Sequence, residues 1–451
     1  MIDRRELLGL AAAAAASGTS AAPARMGRSA AGWFRASEVR ALRKFAEASH
    51  PRGREARDDV EWQRRWTRLE RDVNRLSDGA YFVQARRALA WFEDGHSTVL
   101  PYEYLGKVPS AFASGPFGLH LPWRVKLFDD GAYVVAAQDA GLLGARIEQV
   151  GKLSTAGLMR AFDATWPGNR AWAHNWAGTV LGSPAQLQGL GAVMDALAPL
   201  PLRLSGGKHA HLLPARESAA LSEITRAKSP RELWAQEARR GNYVKMLPDQ
   251  RVLYLSIDAM DDVEGATFEQ LTREAFQAME SPAAERLVID LRRNGGGNNF
   301  LGEPLRKHVE ASRFNKPGRL FVMTEPATFS AAQNLANRLE RETFAIFVGL
   351  PTGLSPNHYG DAKIFTGPVT GLTATVSTLP WFDSYPQDKR EWIMPDLLVP
   401  ATFADWRAGR DPVIDAALTE KFVGVPDDLS PDRVFYYARG SQKQDWKPFW
   451  A

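Results

Sequence analysis

The spacing of apolar positions separates the chain into stretches of different period. Trp62, Trp66, Leu69, Val73 and Leu76 follow one another at intervals of four, three, four and three, which is one face of an amphipathic helix. Ser77-Asp78-Gly79 interrupts the run, and Phe82, Ala85, Leu89 and Phe92 mark a second helix that stops at Asp94-Gly95. The tryptophans belong to a core and the intervening arginines to a solvated face. From Trp123 the period changes to two. Trp123-Arg124-Val125-Lys126-Leu127 alternates, Asp129-Asp130-Gly131 is a turn, Ala132-Tyr133-Val134-Val135 is a second strand, and residues 144–151 add a third strand and turn. Beyond residue 250 strands and helices alternate. Strands are predicted at 252–255, 287–291, 319–323 and 345–348, helices at 267–279 and 331–341, with Leu301 and Leu305 on a further helix. That alternation predicts an α/β domain.

Breaker-rich stretches at 102–118 and 199–207 separate these regions. A chain of 451 residues is too long for one core. The expected organisation is a signal peptide over 1–24, a helical region over 25–112, a small β module over 113–207, an α/β core over 208–420 and a tail over 421–451. The signal is read from Arg4-Arg5-Glu6-Leu7-Leu8, the apolar run 9–16 and Ala22-Pro23-Ala24, the n-region, h-region and cleavage site of a twin-arginine export signal. An alanine-rich helix with a chance arginine pair is the alternative. The expected location is periplasmic or secreted. No later stretch reaches the roughly 18 apolar residues of a membrane span, so none is expected in the mature protein.

Composition adds exclusions. Hydrophobic content is 45% and charged content 24%, as in a soluble globular protein. The net charge of +4 comes from scattered Lys and Arg, so no nucleic-acid partner is expected. The absence of cysteine rules out disulfides, thiolate catalysis and cysteine-ligated metals. The histidines lack metal-ligand spacing such as H-E-x-x-H. No metal and no cofactor are expected.

The candidate chemistry centres on Ser330. It lies in Thr328-Phe329-Ser330-Ala331-Ala332-Gln333, between a predicted strand and a predicted helix, where a helix N-terminus stabilises negative charge. A serine nucleophile needs a base and two fixed donors for the oxyanion. The N–H of Ala331 and one from Gly296 or Gly297, in Asn294-Gly295-Gly296-Gly297, are the candidate donors. The competing reading is an ordinary S-x-x-Q capping box formed by Ser330 and Gln333. His96, in Asp94-Gly95-His96, is the candidate base, and His358 its rival. No G-x-S-x-G elbow surrounds any serine, and the glycine cluster lacks the P-loop pattern.

Together these residues resemble the tail-specific, or C-terminal-processing, serine peptidase family. The matching segments are Val288-Ile289-Asp290-Leu291-Arg292-Arg293-Asn294-Gly295-Gly296-Gly297, Thr328 to Ala332 and Val348-Gly349-Leu350-Pro351-Thr352-Gly353, with residues 356–361 and Pro395-Asp396. Asp94-Gly95-His96-Ser97 is similar to the family's Asp-Gly-His-Thr segment. The resemblance implies a ClpP/crotonase-like α/β catalytic core, preceded by an N-terminal helical segment and a small inserted PDZ-like β module. Position 355, where the Ser–Lys branch carries its lysine base, is Ser355, and the next lysine is Lys363. The chain therefore resembles the tricorn-type branch, in which a histidine from an earlier segment is the base. On that resemblance Ser330 is the nucleophile, His96 the base, and Asp388 the acid that orients it, with Glu391 the alternative acid.

The implied activity is that of an exported serine-type peptidase acting on a peptide or protein substrate through an acyl-enzyme. A non-catalytic or carrier protein on the same fold, binding a hydrophobic ligand or peptide, is the other possibility, because fold does not dictate function.

Overall fold

The structure, a computed structural model, describes residues 28–100, 116–216, 222–223, 241–247, 251–262, 267–419 and 446–451. The expected export signal and most of the tail lie outside them. By internal contacts the chain divides into two units, one of Met1–Ala15, Arg226–His358 and Phe382–Trp446, the other of Ala16–Thr225, Tyr359–Trp381 and Lys447–Ala451. Both are mixtures of helices and sheets. Among the described residues no helix is long and apolar enough to cross a membrane.

The first unit is built on a six-stranded sheet: β1 (Tyr243–Leu247), β2 (Val252–Ser256), β3 (Arg286–Asp290), β4 (Leu320–Thr324), β5 (Ile346–Gly349) and β6 (Leu397–Leu398). The strands lie side by side in chain order. β1 is antiparallel to β2, and every other pairing is parallel. Alternate residues serve opposite faces. Leu253, Leu255, Leu287, Ile289, Leu320, Val322 and Phe347 pack with helices α1 (Phe268–Met279), α2 (Glu303–Ala311) and α3 (Ala331–Glu342). Tyr254, Val288, Phe321, Met323, Ile346 and Val348 pack with Val413, Ile414 and Ala417 of α4 (Pro412–Thr419). Burial on both faces is why these strands read as continuous apolar runs. The strands and helices predicted between 252 and 348 are all present. The α1 start is fixed by the Thr267 and Gln270 capping box.

A buried ion cluster closes the end of β3. Asp290 accepts from Arg292 Nη2 at 2.8 Å and from the Tyr254 hydroxyl at 2.5 Å, while Arg292 also grips both oxygens of Asp411 at 2.8 and 2.9 Å. Burial opposes the charge on Asp290, but the Arg292 guanidinium outweighs it and holds the carboxyl below its ordinary range. The cluster immediately precedes Asn294-Gly295-Gly296-Gly297, so it anchors the glycine segment to the sheet.

In the second unit Trp62, Trp66, Leu69, Val73, Phe82, Ala85, Leu89 and Phe92 form one buried core, as their spacing predicts. They lie on helices Val60–Asp72 and Asp78–Leu89 and the single turns that follow them. Asp59 and Ser77 cap the two helices by accepting from Trp62 and Ala80 N–H groups. Ala374 and Val376, from the strand pair Lys363–Thr366 and Thr373–Val376, join this core with Leu372 just before the second strand.

The region expected as a β module is only partly β. Strands Trp123–Phe128 and Gly131–Ala137 pair as predicted, and Ile147–Val150 joins a second sheet with Leu200–Leu204 and Lys208–Leu212. Between them lie three helices, Thr155–Asp163, Arg170–Val180 and Pro184–Gly189. Their signals were the capping side chains of Ser154, Asn169 and Ser183 and, on the second helix, the aromatics Trp172 and Trp176 spaced four apart, whose rings touch.

Replacing Arg292 with alanine leaves Asp290 and Asp411 buried without their cation. Urea unfolding of Arg292→Ala is expected to show a loss of about 3–5 kcal/mol. Because the Asp290 carboxyl is depressed, its contribution is full above the ordinary carboxylate value of about 4 and fades as pH falls below it. The stability gap between wild type and variant should narrow in that acidic window.

Candidate active site

Ser330 sits in the turn from β4 to α3 with φ 55° and ψ −124°. This is a left-handed φ for a residue with a side chain, strain of about 1–3 kcal/mol that surrounding contacts must sustain. Those contacts are specific. The Thr328 hydroxyl donates to the Leu291 carbonyl at 2.9 Å, and the Gly353 N–H donates to the Thr328 carbonyl at 2.9 Å. The Phe329 N–H donates to the Asn294 carbonyl at 3.0 Å. The serine turn is thus stapled to the glycine segment. The capping-box alternative does not form. An N-cap needs extended dihedrals, the Ser330 side chain makes no cap hydrogen bond, and the Gln333 amide donates instead to Asn337 Oδ1 at 2.9 Å.

The glycine segment passes directly beside the serine. A Cβ on Gly296, whose φ is +110°, would lie 2.4 Å from Ser330 Cβ and 3.0 Å from both Ser330 Oγ and the Ala331 nitrogen. A Cβ on Gly297, whose φ is +132°, would lie 2.3 Å from the Met260 carbonyl oxygen. Only bare main chain fits at either position. Asn294 is buried and holds the loop by donating from Nδ2 to the Ile257 carbonyl at 3.0 Å and accepting the Gly296 N–H at 2.9 Å. The Gly296 N–H is therefore committed to Asn294. Among the described residues no hydrogen bond engages the N–H of Gly297 or of Ala331. The second of these opens a helix of 12 residues, whose N-terminus favours a developing anion.

His96 belongs to the second unit and is buried, 5% exposed. Asp94 shapes its turn: one carboxylate oxygen accepts the His96 N–H at 3.0 Å and the other accepts the Ser97 hydroxyl at 2.5 Å. Ser97 Oγ in turn accepts the Ser377 N–H at 3.0 Å, and Thr98 and Thr375 exchange backbone hydrogen bonds at 3.0 and 2.8 Å. Gly168, at φ +91°, packs against this turn, and a Cβ there would lie 2.8 Å from the Gly95 Cα. Gly360 lies beside the imidazole, and a Cβ there would collide with the Trp381 ring at 2.9 Å.

Asp94 Oδ1 lies 3.8 Å from His96 Nδ1. A second imidazole, His50, places Nε2 3.4 Å from Asp94 Oδ2. Burial opposes the Asp94 charge, but the two imidazoles outweigh it and hold the carboxyl far below its ordinary range. Sequence reasoning did not single out His50. Its only local signal is a His-Pro step after a helix, which is common in structural turns.

The remaining candidates have other neighbours. His358 Nδ1 lies 3.1 Å from the Ser355 carbonyl oxygen. Asp388 accepts from Arg390 Nη2 at 2.9 Å and from the Ser384 hydroxyl at 2.6 Å, and Arg390 also grips the buried Glu340 with two contacts of 2.8 Å. Burial resists ionisation of Asp388, and Arg390 overcomes it to leave the carboxyl below its ordinary range. Glu391 is exposed, and its carbonyl accepts the Ser355 hydroxyl at 3.1 Å. The first unit thus gathers Ser330, Ala331, Gly296 and Gly297, and the second gathers His96, Asp94 and His50. Among the described residues no group of three or more His, Asp or Glu side chains is arranged to hold a metal.

No protein-family model matches the chain. Tricorn protease homolog 2 of Streptomyces coelicolor is 25% identical over 260 residues, covering 53% of this chain and 20% of that protein. The chain thus spans about a fifth of that relative's length. Mature CPAF complexed with lactacystin matches in fold with a TM-score of 0.59 at 12% identity, over 86% of this chain and 98% of that one. Mature CPAF matches with a TM-score of 0.56 at 13% identity, over 86% and 97%.

Strain at Ser330 and crowding at Gly296 give opposite expectations. Ser330→Gly relieves a positive φ and should raise stability by about 1 kcal/mol. Gly296→Ala forces a Cβ into the serine turn and should lower it by about 1–3 kcal/mol. Equilibrium urea unfolding measures both, and equal midpoints for the two variants would contradict the strained turn.

Proposed function

We propose that this chain, which belongs with the tail-specific serine peptidases in sequence and fold, hydrolyses peptide bonds through an acyl-enzyme on Ser330. The observation that carries the proposal is the strained serine held against bare glycine backbone beside a helix N-terminus. Nothing in simple capping calls for that arrangement, whereas acyl transfer requires an exposed hydroxyl next to fixed N–H donors.

The steps follow from the groups. Ser330 Oγ attacks the scissile carbonyl carbon while its proton passes to Nε2 of His96. The tetrahedral oxyanion is received by the N–H groups of Gly297 and Ala331. Its collapse breaks the C–N bond, and the His96 imidazolium returns the proton to the departing amine. Water then attacks the Ser330 ester, gives its proton to His96, and releases the acid as the serine is restored. The resemblance assigns the orienting carboxylate to Asp388, with Glu391 as its alternative. Asp388 already accepts from Arg390 and Ser384, so that role would require it to share an oxygen.

The same reading takes the sheet of the first unit and its helices as a ClpP/crotonase-like core, supported by strand order and by the likeness to CPAF. It takes the sheets around residues 123–212 as a PDZ-like module with a structural or gating role. The substrate is a peptide or protein. Export through a twin-arginine signal, read from Arg4-Arg5, adds a periplasmic or secreted location to the proposal.

Ser330→Ala should lower cleavage of fluorescein-labelled casein by about 10³-fold or more, and a fluorophosphonate should modify Ser330 in the wild type alone, read by peptide mass spectrometry. His96→Ala should match that loss, and His358→Ala should keep part of the activity. Full cleavage by Ser330→Ala would remove the nucleophile, and an unlabelled, inactive wild type would favour a carrier protein. Separately, Arg4→Lys with Arg5→Lys should retain the unprocessed chain in the cytoplasm, seen by fractionation; unchanged export would dismiss the signal.

A further inference from the structure

We propose that Asp94 is the positioning carboxylate for His96, and that His50 is a second positioning residue that holds Asp94 in place. The inference rests on the peptidase reading for what His96 does, and on the geometry of one unit for how His96 is held. The resemblance assigns that role to Asp388 or Glu391 instead.

Both oxygens of Asp94 are occupied in a way that aims them. Oδ1 accepts the His96 backbone N–H at 3.0 Å and faces His96 Nδ1 at 3.8 Å. Oδ2 accepts the Ser97 hydroxyl at 2.5 Å and faces His50 Nε2 at 3.4 Å. The side chain of Asp94 is only 1% exposed, and no arginine or lysine pairs with it among the described residues. Its counter-groups are the two imidazoles. A carboxylate paired with arginine has a permanent cation to satisfy it. One paired with imidazoles gains most when an imidazole becomes charged, which is the event that follows proton transfer from a serine.

The proton positions are set by the neighbours. The Arg52 N–H donates to His50 Nδ1 at 3.0 Å, so neutral His50 carries its proton on Nε2, towards Asp94. His50 is wedged by Phe92, stacked at 3.9 Å between ring centroids, and by Tyr359 at 4.8 Å. It can therefore act as a fixed donor. Asp94 Oδ1 favours the proton of His96 on Nδ1, which leaves Nε2 as the base. The separation of 3.8 Å is beyond a hydrogen bond, and a contact of this kind tightens when substrate binds. The other ionisable groups around the cluster are Tyr359, whose hydroxyl burial pushes up, and Arg52 with Glu55 and Glu93 near it.

The test uses the full chain and the pH dependence of its reaction with a fluorophosphonate. That rate reports the free base and needs no known substrate. Asp94→Asn should slow labelling of Ser330 by about 100-fold or more and move the acid limb to lower pH by about one unit, because the neutral amide no longer favours the imidazolium. Asp388→Asn should leave the limb where it is. His50→Phe should slow labelling about tenfold, and His50→Gln, which keeps a donor, should restore most of the rate. If Asp94→Asn does not fold, nitrogen-15 NMR of wild-type imidazoles decides: His96 with its proton on Nδ1 supports the assignment, and a proton on Nε2 overturns it. A labelled variant with an unmoved acid limb, or a limb moved by Asp388→Asn instead, overturns Asp94 alone. A wild type that takes no label on Ser330 overturns the peptidase reading.

Discussion

The first unit depends on one close approach, the main chain of Gly296 against Ser330. There is no room for a Cβ at Gly296, and Ser330 keeps a left-handed φ. Neither condition is tolerable alone, since a strained serine would relax to an ordinary cap and a free glycine loop would sample many conformations. They hold each other through the Phe329 N–H donated to the Asn294 carbonyl and the Thr328 hydroxyl donated to the Leu291 carbonyl. The consequence is chemical. Among the described residues the N–H groups of Gly297 and Ala331 are left without hydrogen bonds, beside a hydroxyl that is not spent on capping.

Buried ion pairs hold the loops that carry this arrangement. Arg292 bridges Asp290 and Asp411, tying the end of β3 to the start of α4. Arg390 does the same between Asp388 and Glu340. In each the cation is a guanidinium, which stays charged at any working pH, so these clusters are scaffolding. The Asp94 cluster in the second unit is of another kind. Its partners are imidazoles, which unlike a guanidinium can accept or give up a proton.

Much of this was legible in the sequence, and the reasons are local. Strands β2 to β5 were visible because burial on both faces demands runs such as Leu287-Val288-Ile289. The helical core of the second unit was visible because Trp62, Trp66, Leu69 and Val73 keep the helical interval. The helices between 155 and 189 have short-range signals in their caps Ser154, Asn169 and Ser183, but the period-two pattern of 123–151 points to a β module over the whole region. The capping-box reading of Ser330 and Gln333 failed because the pattern carries no information about φ, which contacts from the Asn294 turn dictate.

By itself the sequence determined the alternation of elements, the glycine turn, the serine at a strand-to-helix junction and the histidine after Asp94-Gly95, because each is encoded by residue type and short-range spacing. Only the tertiary structure decided that Ser330 is strained, that Asn294 claims the Gly296 N–H and leaves that of Gly297, that Asp388 is tied to Arg390, and that His50 meets Asp94. Those outcomes depend on groups brought together across long stretches of chain, where hydrogen-bond geometry and exclusion of water select partners that no local pattern specifies.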